Sequence, residues 1–182
     1  MSASRPRVLI LLLRRDLRLH DNPLFHALSQ PAHKTSHHSH LLPIYIFNPA
    51  HIEVSGFLSS PEQKSPYSEC RSRIGGFWKC GPHRAKFIAE SVWDLKQSLK
   101  ELGSDLVLRV GPPDEVISNI IKGLQEEGRA DVVGVWMAQA VGSEEKKEER
   151  GVQKAAEKGE AAFKSFEDGS YLYGLCVYPS RT

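Results

Sequence analysis

The sequence of 182 residues has few cysteines and no long apolar segment. Its cysteines, Cys70, Cys80 and Cys176, are odd in number and lack metal-ligand spacing, which argues against a disulfide framework and a zinc site. The longest apolar run, Val8–Leu13, is too short to cross a bilayer or to form the core of a signal peptide. We therefore expect a soluble protein of a reducing intracellular compartment, without distinguishing cytoplasm, nucleus and mitochondrion.

Neither sign of charge dominates, since 24 Lys and Arg face 22 Asp and Glu, and 40% of the residues are hydrophobic. This composition is typical of one globular domain and excludes a disordered tail or a fibrous repeat. The charge is uneven, because residues 1–100 carry a net +7 and residues 101–182 a net −5. A basic half can face an anion, a nucleotide or a complementary domain, and a solvated surface explains it equally well.

Short apolar runs alternate with helical patterns along the chain. The predicted strands are Val8–Leu13, Leu41–Phe47, Asp105–Val110 and Asp131–Trp136, with a fifth beginning near Lys164. The predicted helices are Pro23–Ser29, Arg84–Leu102, Pro112–Glu127 and Ser143–Phe163. This alternation predicts an α/β fold, a Rossmann-like doubly wound parallel sheet of about five strands with helices on both faces.

Two parts of the chain, between the second and third predicted strands, could contribute to a ligand site. Residues 48–80 form a long irregular connection, which is typical of a functional or mobile loop. The helix predicted over Arg84–Leu102 has an apolar stripe that we expect to face the sheet. The stripe consists of Phe87, Ile88, Val92, Leu95, Leu99 and Leu102.

Ligands of such sheets bind beyond the carboxyl ends of the strands, which here are followed by residues 14–22, 48–81 and 138–145. These segments hold no glycine-rich phosphate loop and no nucleophile with a base. The sequence therefore predicts no catalytic residue and makes NAD, or ATP in a Walker loop, an improbable ligand. A polar insertion with His33, His37, His38 and His40 has no metal-ligand spacing, so a solvated loop is favoured and no metal is predicted.

Charged residues at these edges each have two interpretations. Ser143 is a natural helix cap, with Glu144 and Glu145 in the first turn, where carboxylates favour the helix dipole. One of these carboxylates could instead accept the ring N–H and amino group of a pterin or a purine-like ligand. Lys79 lies just before the helix predicted over Arg84–Leu102, at a position where an anion could bind or where the helix simply begins.

Four segments, read together, resemble the amino-terminal α/β domain of the photolyase/cryptochrome family, most closely a fungal DASH-type cryptochrome. They are LILLLRRDLRLHDNPLFHAL at 9–28, LLPIYIFNPAHIEVSGF at 41–57, RSRIGGFWKCGPHRAKFIAESVWDLKQSLKELGSDLVLRVG at 71–111 and VGVWMAQAVGSEE at 133–145. The resemblance implies an antenna domain over residues 1–170 and a tail, 171–182, that matches nothing in the family.

The resemblance also implies a second, all-helical domain that binds FAD and repairs DNA, and these 182 residues hold no counterpart of it. FAD binding and catalysis are therefore not expected of this chain alone. The implied ligand is 5,10-methenyltetrahydrofolate, held weakly, with Glu144, Glu145 and Lys79 as the matching residues and RRDLR (14–18) as an interface to the helical domain. The surface that the helical domain would cover is expected to favour self-association. Direct DNA binding and membrane binding are not expected.

Two alternatives to a chromophore-binding antenna domain remain open from the sequence. One is a regulatory or interaction module whose basic face meets another protein or a single-stranded nucleic acid. The other is an independent nucleotide-binding enzyme of the same architecture, which the missing phosphate loop disfavours.

Overall fold

The computed structural model describes residues 5–30, 38–58, 60, 62–139 and 142–167. The strands within them are β1 (Arg7–Leu13), β2 (His40–Phe47), β3 (Val107–Val110), β4 (Asp131–Ala138) and β5 (Ala162–Phe166). The α-helices are α1 (Pro23–Ser29), α2 (Pro82–Glu101), α3 (Pro113–Glu126) and α4 (Ser143–Lys158). A short 3-10 turn over Ser55–Phe57 lies in the connection between β2 and α2.

The strands form one parallel sheet in the order β3-β2-β1-β4-β5. At its centre, Leu11 of β1 lies opposite Pro43 of β2 on one side and Trp136 of β4 on the other. The chain builds outward from β1 to β3 and then returns past β1 to β4 and β5. This places α1 and α2 on one face of the sheet and α3 and α4 on the other. The predicted doubly wound α/β fold is confirmed.

Strand β1 is apolar at nearly every position because helices cover both of its faces. Its buried side chains alternate between two hydrophobic clusters. Leu9, Leu11 and Leu13 pack with α1 and α2, and Val8, Ile10 and Leu12 pack with α3 and α4. The uninterrupted apolar run in the sequence is therefore the mark of a central strand.

Helix α1 begins as predicted, with Asn22 as its cap and Pro23 as its first residue. The Asn22 side-chain oxygen accepts the N–H groups of Leu24 at 2.9 Å and Phe25 at 3.4 Å. Its amide nitrogen donates to the Asp16 carbonyl at 3.0 Å, so the buried side chain also fixes the loop that follows β1. Helix α2 likewise starts at a proline, Pro82, two residues before the predicted start at Arg84.

Helix α4 is shorter than predicted and ends at Lys158, not at Phe163. Gly159 caps the helix, and Glu160 adopts a left-handed backbone conformation with φ of 57°, which no helix can continue through. Strand β5 then starts at Ala162. None of the five β5 residues is fully buried, and so short a strand shows no clear period of its own in the sequence.

Two further strand boundaries differ from the predicted ones by two residues, and β1 and β2 each begin one residue earlier than predicted. Strand β3 begins at Val107, since the carboxylate of Asp105 accepts hydrogen bonds from the Leu106 N–H and the Lys96 ammonium group instead of extending the ladder. Strand β4 continues to Ala138, where it pairs with Phe166 of β5. The longer β4 carries the chain further toward the carboxyl edge of the sheet.

The apolar stripe of α2 is only partly directed at the sheet. Val92, Leu95 and Leu99 are buried as predicted, whereas Phe87 is 70% exposed and Leu102 is 72% exposed. Ile88 begins a line of apolar side chains that continues through Val92, Leu95 and Leu99. Phe87 precedes Ile88 by one residue and therefore points about 100° away from this line around the helix. Leu102 follows the last helical residue, so the helical period no longer fixes its direction.

Within the predicted irregular connection, residues 70–79 form a hairpin. Arg71 and Trp78 pair across it, and the Lys79 N–H donates to the Cys70 carbonyl at 3.0 Å. Its turn is Gly75-Gly76, both with positive φ (78° and 64°), a conformation that glycine adopts without strain.

Several predictions concern residues outside the described part of the chain. They are the domain boundary at residue 170, the tail 171–182, and the positions of His33, His37 and Cys176. These stay predictions. Cys70 and Cys80 are described, and both are buried free thiols.

Candidate functional site

The strand order reverses beside β1, because the chain continues from β1 toward β2 on one side and reaches β4 on the other side only after α3. The connections that leave β1 and β4 therefore diverge to opposite faces and leave a crevice at the carboxyl edge. In open α/β sheets this crevice is the usual ligand site. In this protein it lies between residues 14–17, 48–52 and the first turns of α4.

Glu148, in the second turn of α4, joins the connections that follow β1 and β2. One carboxylate oxygen accepts the side-chain N–H groups of Asn48 at 2.9 Å and His51 at 3.1 Å. The other lies 3.1 Å from Nε of Arg14. The Glu148 side chain is only 12% exposed and that of Arg14 only 15%. This largely buried charge is thus satisfied by three donors from two separate loops.

Burial alone would raise the pKa of Glu148, but its surroundings reverse the effect. Hydrogen bonds from His51 and Asn48 and the positive charge of Arg14 favour the carboxylate, so the pKa lies below its usual value. Tyr45, at the end of β2, lines the same crevice. Burial, together with the nearby Cys80 and Glu148, raises the pKa of Tyr45 to about 12. The site therefore holds a charged Glu148 beside a neutral Tyr45 hydroxyl at neutral pH.

Glu145 lies one turn earlier on α4 and is half-buried. Its carboxylate forms an ion pair with Arg15 and accepts the Gly142 N–H at 3.3 Å. The cap residue of α4 is Gly142, and the predicted cap Ser143 is instead the first helical residue. Glu145 is the third helical residue, and its carboxylate reaches back to the N–H group of the cap residue. Glu145 is therefore the side chain that satisfies this free N–H group at the helix start.

Glu145 and Glu148 line a cavity of about 460 Å³. Its lining includes apolar side chains, namely those of Leu17, Ile52, Phe87 and Ile88. It also includes charged and polar side chains, namely those of Arg14, Arg15, Asn48, His51, Arg84 and the two glutamates. A cavity of this size, lined by apolar side chains and a few polar groups, can hold a flat ring compound.

The other two predicted site residues line an adjoining depression of about 660 Å³. Glu144 is exposed there, and the Lys79 ammonium donates to the Ala50 carbonyl at 3.2 Å. Asn48, His51 and Glu148 line both spaces and separate them. The structure thus brings all three predicted residues to one edge, with Glu145 on one side of this partition and Glu144 and Lys79 on the other.

Sequence analysis missed the residues at the centre of the site, Asn48, His51 and Glu148. Two signals were available. Asn48 directly follows the buried strand β2, and Glu148 lies three residues after Glu145, on the same side of the helix. RRDLR was expected to serve the interface with another domain, but Arg14 and Arg15 are bound to α4 of this same chain. The interface role itself stays a prediction.

Across residues 5–30, 38–58, 60, 62–139 and 142–167, no three His, Cys, Asp or Glu side chains are grouped as metal ligands would be. Over the same residues, every helix is too short or too polar to span a lipid bilayer.

Comparison with known proteins gives consistent matches. A family model described as DNA photolyase matches residues 9–176. The chain is 46% identical over 166 residues to a putative mitochondrial cryptochrome DASH of Neurospora crassa, covering 91% of this chain and 22% of the relative. It is 42% identical to a putative cryptochrome DASH of Gibberella zeae, covering 91% and 23%. The chain thus spans less than a quarter of the length of these curated relatives.

Solved structures agree with the sequence matches. The fold superposes on a cryptochrome of Synechocystis with a TM-score of 0.65 at 25% identity, covering 90% of this chain and 28% of that one. An archaeal photolyase from Sulfolobus tokodaii, solved with two FAD molecules, gives a TM-score of 0.59 at 20% identity, covering 88% and 29%. The second match supports the fold alone.

Proposed function

The chain belongs to the DNA photolyase family, and we propose that it is the light-harvesting antenna domain of a DASH-type cryptochrome. In this proposal it holds a folate-type chromophore, 5,10-methenyltetrahydrofolate, at the carboxyl edge of the sheet. The relatives are about four times longer than this chain. DNA repair and flavin chemistry would depend on additional sequence of the kind that these relatives have. The chain by itself would then be non-catalytic.

The observation that carries the proposal is the cavity at the strand-order reversal, which apolar and charged side chains line together. A pterin is a flat ring with an apolar face and an edge of N–H donors. Leu17, Phe87 and Ile88 offer a surface for the face, and the carboxylate of Glu145 offers acceptors for the edge. These side chains fit the chemistry of the group, which when bound would supply absorption of near-ultraviolet and blue light.

The two glutamates of the cavity have different tasks in this proposal. Glu148 already accepts from three donors and is largely buried, so it positions Arg14 and His51. Glu145 is paired with Arg15, whose side chain is 60% exposed. The Glu145 side chain is only 17% exposed, but the arginine end of the pair is open to solvent. An ion pair with one solvent-exposed partner is worth about 1 kcal/mol, and ligand donors can therefore replace the guanidinium group. Glu144 and Lys79 would contact the part of the chromophore that extends into the adjoining depression.

The test is a titration of the purified protein with methenyltetrahydrofolate, followed through the absorption of the ligand and by calorimetry. We expect saturable binding with 1:1 stoichiometry. Glu145→Gln should weaken it by about tenfold, as expected for the loss of one charge-assisted hydrogen bond. The matched control is Glu126→Gln, an exposed residue of α3 away from the cavity. Absence of binding up to millimolar folate would refute the proposal.

A second candidate function, an interaction module for single-stranded nucleic acid, is favoured by the hairpin 70–79. It exposes Ile74, Phe77 and Trp78, with the Arg71 guanidinium 3.9 Å from the Trp78 ring. Interleaved aromatic and cationic side chains can stack on bases and contact phosphates. Fluorescence anisotropy with a labelled oligonucleotide would test this function, since binding should weaken steeply between about 50 and 200 mM salt. Salt-independent or undetectable binding would exclude it.

A further inference from the structure

Tyr45 is a buried residue whose hydroxyl group the fold does not use. Its ring packs edge-on against Phe47, with 4.9 Å between the ring centres, and the residue is only 8% exposed. Its hydroxyl forms no hydrogen bond with any of the described residues. A buried tyrosine normally finds a hydrogen-bond partner for this group. The lack of one at Tyr45 therefore needs a physical reason.

The unused hydroxyl lies at the cavity beyond the carboxyl edge of the sheet, which Tyr45 helps to line. In the described part of the chain, no buried side chain except His38 has a nitrogen or oxygen that is both sealed from solvent and unpartnered. The Tyr45 oxygen, which is unpartnered, thus has open space beside it. After burial and Cys80, the strongest influences on its pKa are the charges of Glu148 and Arg84, which line the same cavity.

At neutral pH the Tyr45 hydroxyl is a hydrogen-bond donor. Its pKa of about 12 keeps the proton in place, so the group can donate one hydrogen bond. The carboxylates of the cavity do not take up this donor, since Glu148 already accepts from three side chains and Glu145 pairs with Arg15. The cavity therefore contains a free donor as well as the acceptor Glu145.

We infer that Tyr45 is a specificity-determining residue of the cavity and that its hydroxyl donates a hydrogen bond to a carbonyl oxygen on the ring of the bound ligand. The inference rests on the proposed function and adds a contact to it. In a pterin the ring carbonyl is adjacent to the ring N–H group that the carboxylate of Glu145 would accept. A ring without the carbonyl would leave the Tyr45 donor unsatisfied after it displaces water, and the cavity should discriminate against it.

The experiment compares wild type, Tyr45→Phe and a control variant by calorimetric titration with methenyltetrahydrofolate. Phenylalanine keeps the ring and removes only the hydroxyl. The control is Ser29→Ala, which removes an exposed hydroxyl that donates to the His26 carbonyl at 2.7 Å, at the end of α1 and outside the cavity lining. Infrared difference spectra of the bound ligand report the stretching frequency of its ring carbonyl. Urea unfolding of the free proteins measures their stability.

We expect Tyr45→Phe to weaken folate binding about three- to tenfold, as for the loss of one neutral hydrogen bond. The carbonyl stretching frequency of the bound ligand should rise in this variant, because a carbonyl that accepts no hydrogen bond is stiffer. The urea midpoint should stay the same or increase, since the fold does not use the hydroxyl. Ser29→Ala should bind folate as wild type does and leave the carbonyl frequency unchanged.

Two results would overturn the inference while the proposed function stands. In the first, Tyr45→Phe binds folate as tightly as wild type with the same carbonyl frequency, so the hydroxyl does not contact the ring. In the second, Tyr45→Phe weakens binding and lowers the urea midpoint but leaves the carbonyl frequency unchanged, so the hydroxyl serves the fold. If wild type does not bind folate, the proposed function and this inference fall together.

Discussion

At the scale of single residues, Glu148 explains why the crevice has a defined shape. Its carboxylate accepts from Asn48 and His51 after β2 and pairs with Arg14 after β1. Loops at a sheet edge otherwise depend on their own short-range contacts and are the more mobile part of a fold. A largely buried carboxylate with three donors gives these loops a common attachment to helix α4.

Glu148→Gln is predicted to lower the free energy of unfolding at pH 7 by about 1–3 kcal/mol, as for hydrogen bonds to a charged group. The effect should depend on pH with a definite sign. Because the pKa of Glu148 in the fold lies below its ordinary value of 4.5, the charged form adds its full stability above that value. The contribution is lost as the pH falls through the lowered pKa.

Urea unfolding of both proteins between pH 7 and pH 3 measures this difference. The gap between wild type and Glu148→Gln should be constant above about pH 6 and shrink below about pH 4.5. Glu126→Gln, at an exposed position of α3, should follow wild type throughout. A gap that stays constant down to pH 3 would mean that the charge of Glu148 does not stabilise the fold.

At the scale of helices and strands, the contact between α3 and α4 depends on a close approach at Gly159. A Cβ atom at this position would lie 2.5 Å from Cγ2 of Ile121, a core residue of α3. No such obstacle surrounds Gly123, in the interior of α3, where nothing lies within 4 Å of an added Cβ. The packing therefore requires a glycine at position 159, whereas nothing around position 123 does.

Gly159→Ala should destabilise the protein by about 1–3 kcal/mol, because Ile121 must move in a packed core. Gly123→Ala should stabilise it by about 0.5–1 kcal/mol through the higher helix propensity of alanine. Urea midpoints of the two variants measure both effects, and each variant serves as the control of the other. Equal shifts in one direction would contradict the close approach.

Some apolar side chains of helix α2 lie in the core, and others line the cavity. Leu95→Ala should cost about 2–5 kcal/mol, as for a buried leucine. Phe87→Ala should change stability by less than about 0.5 kcal/mol, since its side chain is mostly exposed, but should weaken folate binding. Unfolding and ligand titration measured on both variants separate the two roles. A large loss of stability in Phe87→Ala would place that ring in the core.

At the scale of the whole molecule, the hairpin 70–79 leaves an apolar surface uncovered. Ile74 is 84% exposed and Phe77 is 63% exposed, and Trp78 follows directly. Contiguous apolar patches of this kind usually bind a partner. In the isolated chain a second copy is one available partner. The self-association expected from the sequence stays a prediction.

The apparent mass in sedimentation or light scattering should accordingly rise with protein concentration. Phe77→Ser should weaken association by about tenfold or more, which corresponds to the free energy of burying one large apolar side chain. Leu102→Ser, at an equally exposed but isolated position, is the control and should have little effect. A mass that stays monomeric at millimolar concentration would exclude self-association.

Local sequence patterns were enough to predict most of the strands and helices. Apolar runs such as Val8–Leu13 show burial on both sheet faces, and Asn22-Pro23 shows a helix start, because the causes of both lie within a few residues. The end of α4 was placed too late, because the left-handed conformation of Glu160, which stops the helix after Gly159, is not visible in the sequence pattern. Phe87 was assigned to the core because its neighbours belong there.

The sequence by itself determined that this chain is a parallel α/β domain of the photolyase kind, and it pointed to Glu144, Glu145 and Lys79 as residues of one edge. Only the tertiary structure decided which side chains meet there. Asn48 and Glu148 are 100 residues apart, and no local pattern links them. They come together because the order of the strands sets β2, β1 and β4 side by side, and that order depends on packing between distant parts of the chain.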